Sequence, residues 1–329
     1  MYKVAIVIPT LNEERFIQRC LDSVRQQSYP FNQMDVMVVD GGSTDKTQDI
    51  VNDYAVEYPN VRLLPNTNRI QAAAFNIGWR NTKAEIIIRM DAHATYNVRY
   101  VELCCKHLQE DGQRGNVGGI WDIKPQHKEL VAEANALLNQ SRFGIGGAAF
   151  RVGAEAGYVE TVPFGAFPRK VIEIIGGMNE KLPRGEDNEY NYRIRKAGYK
   201  IFLDPEIVAT YYARDTIKGS MRQMYQNGYS IGKLLRLNPQ IVSLRHLVPL
   251  CFVAILLSLM VLSLLFSHYM CSILLCFIFL IYIMAALVAA MCICQKESYR
   301  FLFILPIMFF LIHISYGWGT IVGLLKNKY

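Results

Sequence analysis

Three short polar stretches carry the side chains best suited to chemistry. In Ile86-Ile87-Ile88-Arg89-Met90-Asp91-Ala92-His93 a β-branched run reads as a buried strand, and the chain then delivers an aspartate and, two residues on, a histidine. One hard carboxylate and one imidazole at that spacing can share a divalent cation. Equally, Asp91 can cap a turn and His93 can be a surface residue. Asp40 ends the apolar run Val36-Met37-Val38-Val39 and is followed by Gly41-Gly42-Ser43-Thr44-Asp45. Gly185-Glu186-Asp187-Asn188-Glu189 opens a helix. Acids in a first turn are favoured by the helix dipole, and the same place suits a general base aimed at a sheet edge. Glu189 and Arg193, four apart, need only a surface ion pair.

The elements that must position these residues alternate. Val4–Ile8, ended by Pro9, is a parallel central strand by its lack of alternation. Phe16, Ile17, Cys20, Leu21 and Val24 recur at helical spacing. The strand ending at Asp40 comes next, then a helix opened by Asp45, a strand Val61–Leu64, a helix from about Ile70 to Arg80, and the strand before Asp91. This is a doubly wound α/β domain with a mixed sheet, and in such sheets ligands bind at the carboxyl ends of the strands. Asp40 and Asp91 both stand there. No GxGxxG and no GxxxxGKS occurs, so neither a dinucleotide fingerprint nor a P-loop is present. The middle is less regular. Its Phe143-Gly144-Ile145-Gly146-Gly147 either lets backbone approach a ligand or forms a mobile loop. Val162–Phe167 reads as a short strand and turn, and Ile201–Pro205 as another.

Composition divides the 329-residue chain. Residues 1–215 mix charged and apolar segments like a globular domain. Residues 216–245 form a basic amphipathic segment suited to a membrane surface. Residues 246–329 hold three apolar runs, 247–266, 270–294 and 301–325, each long enough to span a bilayer. Pro306 and Gly317-Trp318-Gly319 are expected to bend or break the third, and His313 is the ionisable group well inside it. The net charge of +7 comes without a basic block of the nucleic-acid kind, so no nucleic-acid partner is expected and the excess reads as attraction to an anionic membrane face. None of the eight cysteines forms a CxxC pair, which points away from a zinc site or a disulfide framework and towards a reducing compartment. The N-terminus runs straight into a strand with no signal-peptide pattern. With residues 1–215 in the cytosol, Lys233, Arg236, Arg245, Lys296 and Arg300 obey the positive-inside rule, whereas three crossings would put Lys326 and Lys328 outside. The two C-terminal lysines carry less weight than the upstream charges, which usually fix orientation.

Taken together, Val7-Ile8-Pro9-Thr10-Leu11-Asn12-Glu13, Val38-Val39-Asp40-Gly41-Gly42-Ser43-Thr44-Asp45, Met90-Asp91-Ala92-His93 and Gly185-Glu186-Asp187 resemble, in order and spacing, the inverting family 2 glycosyltransferases over about residues 3–215. Ser141-Arg142-Phe143-Gly144-Ile145-Gly146 and Arg184-Gly185-Glu186-Asp187-Asn188-Glu189, with the C-terminal apolar segment, are similar to the ExoA-type enzymes of succinoglycan assembly. The resemblance implies a GT-A fold followed by transmembrane helices. It also implies transfer of a sugar, glucose in β linkage by the nearer resemblance, from a UDP-sugar to a polyprenyl-diphosphate-linked saccharide. By position, Thr10 and Glu13 would line the uridine pocket, Asp40 would bond the uracil, and Arg69 would sit beside it. Asp91 and His93 would occupy the metal-binding Asp-x-Asp, here Asp-x-His, with Mn²⁺ or Mg²⁺. Asp187 would be the catalytic base. The processive Gln-x-x-Arg-Trp motif is absent, which argues against a long-chain polymerase. The implied location is the cytoplasmic membrane, multi-pass, with the catalytic domain facing the cytosol. Two alternatives remain: the same chemistry on a polyprenyl phosphate, a glycolipid or a growing polysaccharide, and a non-catalytic membrane component that binds sugar nucleotides.

Overall fold

The computed structural model describes residues 3–266 and 269–326. The extreme N-terminus, the Ser267-His268 connection and Lys328 lie outside the described residues. The chain divides into two compact units, residues 1–122 with 153–211, and residues 123–152 with 212–329.

Strands β1 (Val4–Thr10) and β2 (Met34–Asp40) are buried at every position, as their unbroken apolar runs require of strands covered on both faces. Helices α1 (Ile17–Arg25) and α2 (Thr47–Glu57) follow them, then β3 (Val61–Pro65), α3 (Gln71–Arg80) and β4 (Ile86–Arg89). These four strands pair in parallel in the order β3-β2-β1-β4. The helix α3 lies close on β1, because a Cβ on Gly78 would meet the Val7 Cγ2 at 2.4 Å.

The sheet then turns mixed. It takes in β5 (Ala94–Tyr96), β6 (Arg114–Lys124) after helix α4 (Tyr100–Glu110), β7 (Gly157–Tyr158), β8 (Ala166–Pro168) and β9 (Lys200–Tyr212). The order continues β4-β8-β6-β9-β5, with β7 also on β9. The pairs β4–β8, β6–β8, β5–β9 and β7–β9 are antiparallel. Strand β9 does not stop at Pro205 as its sequence predicts. The Asp204 carboxylate accepts the Glu206 N–H at 2.8 Å, so the break in the ladder at proline is closed locally. Two helices complete this unit, α8 (Arg169–Ile175) and α9 (Glu186–Lys196).

The second unit gathers α5 (Leu130–Gln140), α6 (Arg142–Ile145) and α7 (Ala149–Val152) with α10 (Ile217–Leu237), α11 (Val248–Phe266), α12 (Tyr269–Cys294) and α13 (Ile304–Leu325). Composition placed residues 123–152 with the globular domain; their packing places them with the C-terminal helices. Ala134 and Leu138 of α5 share a core with Ala286, Ala290, Cys294, Leu305 and Phe309, and Arg300 forms an ion pair with Glu133. Helices α11, α12 and α13 are each long and apolar enough to cross a membrane. The break expected in α13 does not occur, since the helix is continuous. Pro306 falls in its first turn, where no N–H is required, and Gly317 and Gly319 serve close packing, a Cβ on either meeting a neighbouring carbonyl at 2.2 Å.

Candidate active site

The polar residues cluster at the carboxyl ends of β1, β2 and β4. Asp40 closes β2, and its carboxylate accepts the N–H groups of Gly42 and Ser43 at 2.9 Å each, the Ser43 hydroxyl at 2.5 Å and Gln48 at 2.7 Å. Four donors use most of a carboxylate's capacity, so Asp40 shapes this loop first and has little acceptor capacity left for a ligand. The loops after β1 and β2 are knitted together. Asn12, at φ 55°, accepts the Thr44 N–H at 2.8 Å, and the Glu13 N–H bonds the Thr47 hydroxyl at 2.8 Å. Thr10 is buried, and its hydroxyl returns to the Ile8 carbonyl at 3.0 Å. Arg69, at φ 57°, packs on Gly41 and Gly42, with its guanidinium 3.3 Å from where a Cβ on Gly42 would lie. Thr10, Glu13, Asp40 and Arg69 thus fall in one loop cluster. Left-handed backbone at two non-glycine residues is the kind of strain that collects at binding sites.

Arg89, which sequence reasoning passed over, organises the rest. It is the last residue of β4 and is buried. Its Nε and Nη2 donate to the Asp91 Oδ1 at 3.2 and 3.1 Å. Nη1 donates to Glu186 at 3.2 Å and Asp187 at 2.5 Å, and Nη2 also reaches Gln71 at 3.0 Å. A guanidinium has five N–H groups in a rigid fork, and here they meet three carboxylates and an amide. Asp187 and Glu186 arrive from the other end of the sequence on the first turn of α9. Gly185 makes this possible by taking φ 83° ahead of them. The backbone of Asp91 is fixed independently: its N–H donates to the Tyr96 hydroxyl at 2.6 Å, and that hydroxyl donates to the Asp91 carbonyl at 3.2 Å.

Three acids around one cation leave an excess of negative charge in a mostly dry place. Burial pushes Glu186 up to about 7, and the neighbouring Asp187 charge adds to the effect while Arg89 opposes it. Burial also raises Asp187, with Arg89 pulling back and Asp91 pushing further. The Asp187 side chain nevertheless keeps 45% of its accessible surface, as a carboxylate does when solvent reaches it from one side. Burial works against the charge on Arg89, but Asp187, Asp91 and Glu186 together outweigh it and hold the group protonated.

The His93 Nδ1 lies 3.2 Å from the Glu13 Oε1, which joins the β1 loop to the β4 loop. Among the described residues no group of three or more His, Cys, Asp or Glu side chains converges as a metal cage. Asp91 and His93 still have the chemistry for a divalent ion that takes its other ligands from phosphate and water, the usual habit of Mg²⁺. An aromatic wall also escaped the sequence reading. Trp121 of β6 stacks on Tyr211 of β9 at 4.3 Å and 9°, and Tyr211 lies 6.3 Å from the His93 ring. Their only sequence signal is aromatic residues on strands, and strand pairing brings them together. Glu189 and Arg193 make their pair at 2.7 Å, yet it is not merely superficial. Arg193 also donates to the Ile175 and Gly177 carbonyls at 2.8 Å, tying α9 to the end of α8.

A half-parallel, half-antiparallel sheet with acids at its strand ends and a carboxylate on a facing helix is the GT-A arrangement of nucleotide-sugar transferases. The chain belongs to that class: the family model described as Glycosyl transferase family 2 matches residues 5–172. Among its relatives is the succinoglycan biosynthesis protein ExoA of Rhizobium meliloti, 32% identical over 74% of this chain and 74% of that one. A second, from Methanococcus voltae, is named dolichyl N-acetyl-alpha-D-glucosaminyl phosphate 3-beta-D-2,3-diacetamido-2,3-dideoxy-beta-D-glucuronosyltransferase. It is 29% identical over 99% of this chain and 98% of that protein. Among solved structures, the mannosyltransferase PcManGT from Pyrobaculum calidifontis, in complex with GDP-Man and Mn²⁺, is 21% identical with a TM-score of 0.61, covering 96% of this chain and 87% of that one. It is a likeness of fold. Glycosyltransferase chemistry on a GT-A fold is therefore established for this chain.

Proposed function

We propose that the protein is an inverting hexosyltransferase that moves a sugar, glucose in the first instance, from a UDP-sugar to a saccharide carried on polyprenyl diphosphate, in exopolysaccharide or surface-glycan assembly at the cytoplasmic membrane with residues 1–215 in the cytosol. The observation that carries it is the Arg89 fork, which holds Asp91 and Asp187 on one guanidinium at 3.1 and 2.5 Å. A group suited to the donor's diphosphate side and a group suited to the acceptor's proton are thereby fixed in one frame.

In this reading Thr10, Glu13, Asp40 and Arg69 line the pocket for the nucleoside, and Asp91 with His93 holds Mn²⁺ or Mg²⁺. When bound, the cation supplies charge neutralisation for the leaving diphosphate. Asp187 accepts the proton of the acceptor hydroxyl as its oxygen attacks the anomeric carbon from the face opposite UDP. The new C–O bond forms, the C–O bond to the diphosphate breaks, and UDP leaves with the electron pair. One displacement inverts the anomeric centre, and one base suffices for it, whereas glycoside hydrolases require two flanking carboxylates. The solvent-reached side of Asp187 supports release of the proton to water. Its raised pKa makes it a stronger base than an ordinary carboxylate.

A second acceptor reading has its own support. The Methanococcus voltae relative, aligned over nearly the whole of both chains, carries in its name a sugar on dolichyl phosphate. An acceptor sugar on a polyprenyl monophosphate is therefore the alternative. Membranes containing the protein, given labelled UDP-glucose, UDP-galactose and UDP-hexosamines with and without Mn²⁺ and then extracted for lipid, separate the two by the phosphate count of the labelled product. The Asp187→Asn chain should bind UDP and transfer nothing; full transfer by it removes Asp187 as the base.

A further inference from the structure

The second unit contains an arrangement that bears on how this protein meets its membrane. Helices α10 and α13 run side by side and in the same direction. A Cβ on Gly319 would meet the Tyr225 carbonyl at 2.2 Å, and one on Gly323 the Tyr229 carbonyl at 2.2 Å. One on Gly228 would meet the Tyr316 carbonyl at 2.0 Å, and one on Gly232 the Thr320 carbonyl at 2.3 Å. Position rises on both helices together. Two Gly-x-x-x-Gly pairs, 228/232 and 319/323, bring the backbones into contact, as small residues do between closely packed helices. At the end of the pair the Lys233 Nζ and the Arg236 Nη1 both donate to the Lys326 carbonyl at 2.6 Å. Two cations of α10 thus cap the last turn of α13.

Between these parallel helices the chain makes a hairpin. Ser263 of α11 meets Ser272 of α12 at 2.5 Å, and Phe252 stacks on Tyr282 at 4.8 Å, so α11 and α12 are antiparallel. Successive membrane crossings alternate in direction. If α10, α11, α12 and α13 all crossed, the first and fourth would be antiparallel, and they are parallel. If α13 crossed alone, α10 would lie beside it through the bilayer, with Lys218, Arg222, Lys233 and Arg236 in a 21-residue helix. Charges within the hydrocarbon are strongly disfavoured.

The exposed faces agree. The most apolar windows of α11 and α12 are only 6% and 11% buried, as lipid-surrounded spans are, whereas that of α13 is 44% buried. The large apolar side chains that α13 leaves exposed are Ile307, Trp318 and Leu325, with Phe303 just before the helix; at 3.6 residues per turn they fall on one stripe. The exposed residues of α10 are Lys218, Arg222, Gln226 and Arg236, with Leu237 at its end. The pair is therefore apolar on one outer face and basic on another. In this unit fourteen lysines and arginines face four acids, while the first unit has 21 against 24.

We propose that α13 is not a third crossing. The α10–α13 pair lies in the membrane interface with the apolar stripe of α13 in the acyl boundary and the cations of α10 at anionic headgroups. Only the α11–α12 hairpin spans, and the C-terminus returns to the side from which α11 started. The proposal is independent of which sugar is transferred and of whether Asp187 is the base.

The test is accessibility of single cysteines in a full-length chain whose own cysteines are replaced, probed in intact and then permeabilised cells with a membrane-impermeant maleimide. Lys296→Cys reports the α12–α13 connection, Lys326→Cys the end of α13, and Tyr269→Cys the start of α12. The expected result is that 296 and 326 share one labelling pattern and 269 shows the opposite one. Opposite patterns at 296 and 326 overturn the proposal, whichever way the protein faces. A reporter fused after the last residue, with the chain otherwise intact, reads the same sidedness without any substitution: a phosphatase active outside, or a fluorescent protein folding inside. It must agree with position 296, and disagreement also overturns the proposal. Transfer activity does not enter the readout, so an inactive but correctly inserted chain still gives the answer.

Discussion

Replacing Arg89 by lysine tests the idea that one guanidinium sets the geometry of the reaction. The wild-type side chain makes five hydrogen bonds from three nitrogens. An ammonium has three donors on one point and cannot reproduce the fork, so at least two of the five are lost. Hydrogen bonds to charged groups contribute about 1.5–3 kcal/mol each. The bonds to Asp91 and Glu186 are buried, whereas the one to Asp187 is partly screened by solvent and is discounted. A stability loss of about 3–6 kcal/mol follows if two buried bonds go, less whatever Glu186 recovers by taking a proton. The catalytic effect should be larger than the thermodynamic one, because displacement of a base by about 1 Å costs on the order of 100-fold. The loops around Asp40 and Arg69, proposed to take the nucleoside, are held by their own hydrogen bonds, so KM for the donor should stay within about threefold while kcat falls about 100-fold, a loss of transition-state rather than ground-state interaction. The assay is initial-rate transfer of labelled sugar to extracted lipid, with a thermal melt of the same preparation. An Arg89→Lys protein with wild-type kcat and an unchanged melt would refute the reasoning; equal losses in KM and kcat would assign Arg89 to donor binding instead.

Other expectations follow from the same geometry. The folded pKa of Glu186 is raised above its ordinary value, so the folded state binds an extra proton between about pH 4.5 and 7, and stability falls as pH rises through that window, by roughly 3 kcal/mol over its width. The Glu186→Gln chain should lose this slope and melt higher than wild type at pH 8; a parallel pair of melt-versus-pH curves would count against it. The acid limb of kcat should lie above the usual carboxylate range, because Asp187 must be unprotonated to act and its pKa is raised; the Asp187→Glu chain, if active, should move that limb. His93→Ala should raise the Mn²⁺ concentration for half-activation by about 10-fold or more, and an unchanged requirement removes His93 as a ligand. Gly119→Ala should destabilise by about 1–3 kcal/mol, since its Cβ would fall 1.7 Å from the Ile207 carbonyl oxygen across the sheet; an unaltered melt would contradict this packing.

Local pattern reports what a segment is, and much less about what it touches. The parallel half of the sheet was legible because Val4–Ile8 and Val36–Val39 are apolar at every position, which only a strand buried on both faces tolerates. Asp40, Asp91 and Asp187 were legible because acids sit at strand ends and in a helix first turn. Arg89 was overlooked although its signal was present: a charged residue closing an otherwise apolar strand must be paired if buried. Its partners at 186 and 187 are nearly a hundred residues away, and no periodicity links them. Trp121 and Tyr211 meet through pairing of distant strands, and residues 123–152 join the C-terminal helices through small side chains such as Ala134, whose helical spacing fits a globular core equally well.

The positive charge shows how a local reading can leave a global conflict. The excess of basic residues was read as membrane attraction, and the excess does reside wholly in the unit that holds the apolar helices. Length and composition then suggested three crossings, because hydropathy scores a helix as if lipid surrounded it. Under that count Lys326 and Lys328 break the positive-inside rule. Of the glycines that looked like helix breakers, Gly319 is where α13 meets the backbone of α10 and Gly317 is where it meets Pro249 of α11, and the parallel α10–α13 contact is incompatible with alternating crossings of all four helices. If α13 shares the interface with α10, the number of spans becomes even and the C-terminal lysines fall on the same side as Lys233, Arg236, Lys296 and Arg300. A violated charge rule and a glycine pair, each weak alone, then have one cause.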